Sequence, residues 1–257
     1  MRNKALRSFL LRGKNVIITG ASSGIGRQCA ITCSEMGANV ILFARNEIRL
    51  QETITKLKTG THLYYALDIT QYDQIESFIT QTVQKVGKIS GFIHSAGIET
   101  TIPLHVMKSK NYENIFAINV VGGFEFAKIL SKKTYLCEQG ASFIFISSIM
   151  GTLGQLGKIG YCSSKGALIA GSKAMALELA RKSIRVNCIS PAIVETEMIA
   201  KLFENIPVEA KQSIVEMHPL GFGKPEDIAN ACVFLLSEAS RWITGTNLII
   251  DGGYSAK

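Results

Sequence analysis

A glycine-rich turn between an apolar β-branched run and a helical pattern constrains this chain more than any other feature. Residues 15–18 read as a buried strand, Thr19-Gly20-Ala21-Ser22-Ser23-Gly24-Ile25-Gly26 as the turn, and residues 25–36 as the helix that follows. Each glycine has its own steric duty there. Gly20 permits the tight turn, Gly24 lets backbone amides approach a ligand, and Gly26 lets helix and strand pack closely. The helix N-terminus adds positive potential, which suits a phosphate and makes Ser22, Ser23 and Ile25 candidate contacts beside the glycines. A glycine turn with no ligand is the competing reading, and the strand-turn-helix context weighs against it.

The alternation continues along the chain. Residues 39–44, 62–67, 91–94, 142–147, 184–189 and 248–250 read as further strands; 47–58, 72–86, 111–133, the segment carrying Tyr161, and 225–236 read as helices. Such repetition predicts an α/β fold: one doubly wound domain over residues 1–257, with a parallel sheet of about seven strands and helices on both faces. Composition agrees, because 47% of residues are apolar, 19% are charged, only 5 are proline, and no linker interrupts the core. Residues 1–12 alternate basic and apolar side chains, but the apolar run is too short for a targeting or membrane helix. A lead-in packed against the domain is expected. No apolar run approaches the ~20 residues needed to cross a bilayer, so no membrane partner is expected.

Six cysteines lie scattered in apolar stretches without a C-x-x-C, which predicts buried thiols in a reducing, cytoplasmic setting and no metal site. Cys29 and Cys33 share a helical face, where packing is the simpler role. The formal charge of +8 is dispersed rather than gathered into a basic stripe, which favours a phosphate-bearing small molecule over nucleic acid.

Tyr161 and Lys165 stand four residues apart on a helix, and Ser148 ends the preceding strand. A phenol starts from a pKa of about 10, so lowering it by ~3 units requires roughly 4 kcal/mol of differential interaction. A fixed lysine together with a cationic nicotinamide ring in a partly desolvated cleft supplies that, and a solvated pair does not. By itself Tyr-x-x-x-Lys is a chance surface pair on most helices. The second strand ends in Ala44-Arg45-Asn46, with no carboxylate to accept the adenosine ribose hydroxyls and repel a 2′-phosphate. NADP(H) is therefore favoured over NAD(H), although Glu47 stands close by and Arg45 has a solvated surface arginine as its competing reading.

With these residues assembled, the chain resembles the compact branch of the short-chain dehydrogenase/reductase family over about residues 11–253. The Thr19 to Gly26 turn resembles the family's coenzyme motif, Asp68-Ile69 its adenine contact, and Asn119 the helix asparagine of its proton relay. Ser148, Tyr161 and Lys165 match its catalytic serine, tyrosine and lysine. Ile189-Ser190-Pro191-Ala192, with Val194 and Thr196 after it, resembles the loop that holds the nicotinamide carboxamide. The resemblance implies a Rossmann domain and reversible hydride transfer between nicotinamide and a carbonyl or secondary alcohol. Tyr161 would be the acid or base, Ser148 would orient the substrate oxygen, Lys165 would hold the ribose, and Asn119 would anchor a relay water.

Two positions depart from the family pattern. His94-Ser95-Ala96-Gly97 replaces its usual Asn-Asn-Ala-Gly, keeping Ala96 and Gly97 for close approach to the cofactor, with Ser95 beside them as a candidate contact, and leaving His94 as a hydrogen-bonded structural residue. Ala192 replaces a glycine, so φ there must be negative. The tail from Gly223-Lys224-Pro225 to Asp251-Gly252-Gly253 is most similar to 3-oxoacyl-(acyl-carrier-protein) reductases, which implies a small-molecule or thioester carbonyl substrate. Two alternatives stand beside it: an NAD-dependent dehydrogenase of a sugar, steroid or small alcohol, and a catalytically silent cofactor-binding scaffold, against which the intact Ser, Tyr and Lys argue. Residues 195–219 read as a substrate lid or an ordinary helical connection, with Met198, Ile199, Leu202 and Phe203 either lining a pocket or packing. Surplus apolar surface on the helices around Phe124 and Leu168 suggests a homo-oligomer, a dimer or tetramer.

Overall fold

Seven short apolar runs pair side by side, the five inner ones buried on both faces and the two at the edges only partly covered. The computed structural model describes residues 4–204 and 207–256. Its first half runs α1 (Lys4–Arg7), β1 (Asn15–Thr19), α2 (Gly24–Glu35), β2 (Asn39–Ala44), α3 (Glu47–Ile54), β3 (Leu63–Ala66), α4 (Tyr72–Val86) and β4 (Gly91–His94). The second half continues with α5 (Ser109–Phe116), α6 (Gly122–Leu130), β5 (Ala141–Ile146), α7 (Ile159–Leu179), β6 (Ile184–Pro191), α8 (Glu197–Phe203), α9 (Val208–Glu216), α10 (Pro225–Leu236) and β7 (Asn247–Ile250). All seven strands are parallel, in the order β3-β2-β1-β4-β5-β6-β7. The order reverses between β1 and β4, and the crevice at the C-terminal ends of those strands is where such sheets bind ligands.

Successive residues of each strand enter opposite cores. Val16, Ile18, Val40, Leu42, Ile93 and Ile144 meet Cys29, Ala30 and Cys33 of α2 and Cys232, Leu235 and Leu236 of α10. Ile17, Phe43, Phe92, Phe143 and Phe145 face the other way, toward α4, α6 and α7. Phe92 stacks on Phe126 with centroids 5.6 Å apart and meets Phe143 and Phe145 edge-on at 5.8 and 5.9 Å. Aromatic pairs of this kind each add about 0.5–1.5 kcal/mol beyond their burial, so the second core is rigid where it backs the cleft.

Near the N-terminus, Leu11 is fully buried, the Ala239 amide donates to the Ser8 carbonyl, and Phe9 lies against Phe234. Residues 1–3 lie outside the described residues. The single helix expected over 111–133 is instead interrupted. A π-helical stretch, Ala117–Val121, separates α5 from α6. Its cause is tertiary: the Asn119 side chain is tied to the Ile98 backbone, the Tyr72 hydroxyl donates to the Ala117 carbonyl, and Gly122 and Gly123 seat closely on Ile69 and His94. β6 also runs two residues further than its apolar pattern, to Pro191, which pairs with Ile250. The segment 195–219 holds α8 and α9; residues 205–206 and the side chains of Met198 and Leu202 lie outside what is described.

Candidate active site

The turn after β1 has no room for side chains. A Cβ on Gly20, at φ +69°, would lie 2.7 Å from the Ala96 amide nitrogen, and one on Gly26 would lie 2.3 Å from the Gly20 carbonyl oxygen. Gly24, at φ +51°, faces Thr196. The β1 turn, the β4 loop and the loop after β6 thus converge, with backbone exposed to a cleft of about 740 Å³. This cradle fits a dinucleotide, since a pyrophosphate needs amides rather than side chains at that point.

Gly20, Ser22, Ser23, Gly24, Ile25, Gly26, Arg45, Asp68, Ile69, Ser95, Ala96, Gly97, Pro191, Val194 and Thr196 all line this cleft, as do Ser148, Tyr161 and Lys165. At the end near β2 and β3, the Arg45 guanidinium lies 3.9 Å from the Asp68 carboxylate. The Asp68 carboxyl is held below its ordinary pKa by the Thr70 amide and hydroxyl, with Arg45 contributing. Ala192 has no positive φ, as its side chain requires.

At the centre, the Ser148 hydroxyl caps a short turn by accepting from the Met150 amide at 3.2 Å, and it reaches toward the Pro191 carbonyl at 3.5 Å. Lys165 is buried in α7, and its Nζ donates to the Ile146 carbonyl at 2.8 Å, 5.7 Å from the centroid of the Tyr161 ring. The expected lowering of the phenol by this lysine is not what the protein alone produces. Burial pushes the Tyr161 phenol up to about 12, with only the Ser148 hydroxyl pulling it down, and burial also brings Lys165 down to about 8. Desolvation acts on both charged forms at once, so the polypeptide holds the pair as neutral phenol and weakened cation.

Among the described catalytic and cofactor-binding candidates, Asn119 is the one that does not line the cleft. It is fully buried; its side-chain oxygen accepts from the Ile98 amide at 2.8 Å, and its amide donates to the Ile98 carbonyl and the Ser164 hydroxyl. It clamps the β4 loop to α7. Its backbone carbonyl accepts from Nε2 of His94 at 3.0 Å, which fixes that proton on Nε2. Neutral His94 must then accept at Nδ1 from the Thr19 hydroxyl, 2.9 Å away. Thr19 in turn accepts from the Ala96 amide at 3.4 Å, so His94 joins the phosphate turn to the π-helical segment.

Two charged pairs escaped the sequence reading. Lys158, nearly buried, forms an ion pair with Glu99, and both line the cleft near Tyr161. Burial lowers the pKa of Lys158. Its position at the N-cap of α7, three residues before Tyr161, was the available signal. Arg49 of α3 pairs with Glu197 of α8, and nothing local in the sequence announces that contact.

Residues 20–255 match the family model described as Enoyl-(Acyl carrier protein) reductase. The chain belongs to the short-chain dehydrogenase/reductase family. It is 34% identical to a 3-oxoacyl-(acyl-carrier-protein) reductase of Thermotoga maritima over 247 residues, covering 95% of this chain and 98% of that one. It is 30% identical to an NAD-dependent glycerol dehydrogenase of Listeria innocua over 252 residues, covering 98% and 97%. A solved 7α-hydroxysteroid dehydrogenase, complexed with NADH and 7-oxo glycochenodeoxycholic acid, superposes with a TM-score of 0.90 at 29% identity, covering 98% of both chains. The protein is thus an oxidoreductase of the short-chain dehydrogenase/reductase type, a family that binds a nicotinamide cofactor. Among the described residues no helix is long and apolar enough to cross a membrane.

Proposed function

We propose that this protein is an NADPH-dependent ketoreductase acting on a small-molecule or 3-oxoacyl-thioester carbonyl. The observation that carries the proposal is the meeting of Ser148, Tyr161 and Lys165 in one cleft whose far end presents Arg45. The nicotinamide cofactor, when bound, supplies the hydride. Tyr161, kept protonated by burial, donates its proton to the carbonyl oxygen, and Ser148 holds that oxygen by a hydrogen bond as charge develops. Lys165, whose Nζ lies 5.7 Å from the centroid of the Tyr161 ring, would hold the cofactor ribose. Asn119 serves this site by positioning, since it fixes Ile98 and α7 relative to each other.

The substrate end has an apolar wall, to which Ile98, Met150, Ile199, Phe203, Ile214 and Met217 contribute, and a polar corner made by Glu99 and Lys158. An acyl chain suits the wall. The polar corner favours a second reading, an NAD-dependent dehydrogenase of a hydroxylated substrate, as in the glycerol dehydrogenase relative. Cofactor choice separates them. NADPH is expected to bind at least tenfold more tightly than NADH, a difference of about 1.4 kcal/mol, and Arg45→Asp is expected to erase the preference. Equal affinities by fluorescence titration would remove the basis for NADPH.

We also propose a homo-oligomer. α6 buries most of its apolar residues and α7 buries Leu168, Ile169, Ala176 and Leu179, but Ala170, Ala174 and Leu177 leave an exposed stripe on α7, with Leu177 82% accessible. Sedimentation at micromolar concentration is expected to give a dimer or tetramer; a monomer would count against this assembly.

A further inference from the structure

Glu197 sits at the start of α8, immediately after Thr196, whose methyl lies 3.3 Å from the point a Gly24 Cβ would occupy. The backbone bearing Glu197 therefore passes directly over the phosphate turn. Its carboxylate pairs with Arg49 of α3, and Oε1 lies 3.8 Å from Nη1 of Arg27 in α2. The two arginines are not equivalent. Arg27 Nη2 donates to the Ser22 carbonyl at 2.5 Å and stands 3.5 Å from Glu52, so it is anchored in the turn. Arg49 lines the cleft beside Arg45 and Asn46, and Glu197 lines it too.

We propose that Glu197 is an internal competitor for Arg49, which a phosphate on the adenosine half of the cofactor must displace. Arg49 and Glu197 together then set cofactor affinity. The inference rests on the reading that this cleft binds a nicotinamide dinucleotide. The side chains of Arg49 and Glu197 are 36% and 49% exposed, so the pair is open to exchange rather than sealed as a structural bridge. A phosphate offers a guanidinium more charge than a carboxylate does, with oxygens that match its fork. Once displaced, the carboxylate remains close to an anion and opposes it. The same α8 carries Ile199 and Phe203 into the substrate wall, so the exchange at Arg49 bears on the helix that the substrate meets.

The test is calorimetric titration of the intact protein and its Glu197→Gln, Arg49→Met and double variants with NADPH, 2′,5′-ADP and 5′-AMP at low salt. Glu197→Gln is expected to tighten NADPH by about three- to fivefold, the range an exposed ion pair supports. Arg49→Met is expected to weaken it, and the gain from Glu197→Gln should vanish in the Arg49→Met background. A gain confined to 2′,5′-ADP assigns the phosphate to the ribose 2′ position; an equal gain with 5′-AMP assigns it to the 5′ end. A Glu197→Gln affinity within about 1.5-fold of the parent, or a gain that survives without Arg49, overturns the proposal while leaving dinucleotide binding intact. A parent that binds none of the three overturns that reading and this proposal with it.

Discussion

Tyr161→Phe should preserve the fold and cofactor binding while turnover falls by at least ~10²-fold, and by up to ~10⁴-fold. The change deletes one hydroxyl and almost no volume from an enclosed position, so packing around α7 has no reason to fail. What is lost is the proposed proton donor. With its phenol at about 12, Tyr161 enters the reaction as a neutral acid at neutral pH, which is the state that carbonyl reduction needs. The reverse reaction must start from the deprotonated phenol, so alcohol oxidation should gain rate as pH rises from neutrality. Lys165→Met should weaken cofactor binding as well as turnover, because on the proposed reading its buried ammonium serves ribose and phenol together. Ser148→Ala should mainly reduce turnover. A surface tyrosine-lysine pair would predict effects under ~1 kcal/mol for either substitution. Steady-state rates of Tyr161→Phe within a few-fold of the parent, on any substrate the protein reduces, would remove Tyr161 as the acid.

What the sequence displayed and what it hid divide along a physical line. The strands were legible because each is a short apolar run rich in β-branched or aromatic residues, buried on both faces in the five inner strands, and the phosphate turn because glycine is required where backbones nearly touch. Ser148, Tyr161 and Lys165 were legible because their spacing is set by one strand end and one helix. The π-helical stretch was not, since it depends on Asn119 reaching Ile98 and on two glycines fitting against Ile69 and His94 from other elements. The same holds for Arg49 and Glu197, which meet across 148 positions of sequence, and for Glu99 with Lys158. The titration of Tyr161 in the polypeptide alone was hidden for a related reason. A helical i, i+4 pair suggests a lysine that lowers a phenol, whereas burial, a property of the whole fold, acts on both groups and dominates.

His94 gives that burial a measurable consequence in stability. Its ring is closed in by Phe92 and Phe145 and by Gly123, where even a Cβ would come within 2.6 Å of the imidazole. Both ring nitrogens are committed to neutral hydrogen bonds, with Thr19 and the Asn119 carbonyl. Burial, reinforced by the nearby Lys165 charge and only partly opposed by the Asn119 hydrogen bond, brings its pKa down to about 3. In the unfolded chain the ring titrates near its ordinary ~6.5. Above that value His94 is neutral in both states and its contribution is fully present. Between about 6.5 and 3 the unfolded chain takes up a proton that the folded protein refuses, so stability falls by about 1.4 kcal/mol per pH unit, on the order of 4–5 kcal/mol in all. His94→Asn keeps a donor and an acceptor but cannot titrate. It should cost stability at neutral pH, because the smaller side chain leaves space behind it, yet lose about one proton's worth of the acid-limb slope. Urea unfolding of parent and variant at several pH values from 7 to 4 decides this, because carboxylates elsewhere contribute equally to both and cancel in the difference. Parallel pH profiles would mean that the folded protein protonates His94 as readily as the unfolded chain does, and that the hydrogen-bonded link from Thr19 to Asn119 opens in mild acid.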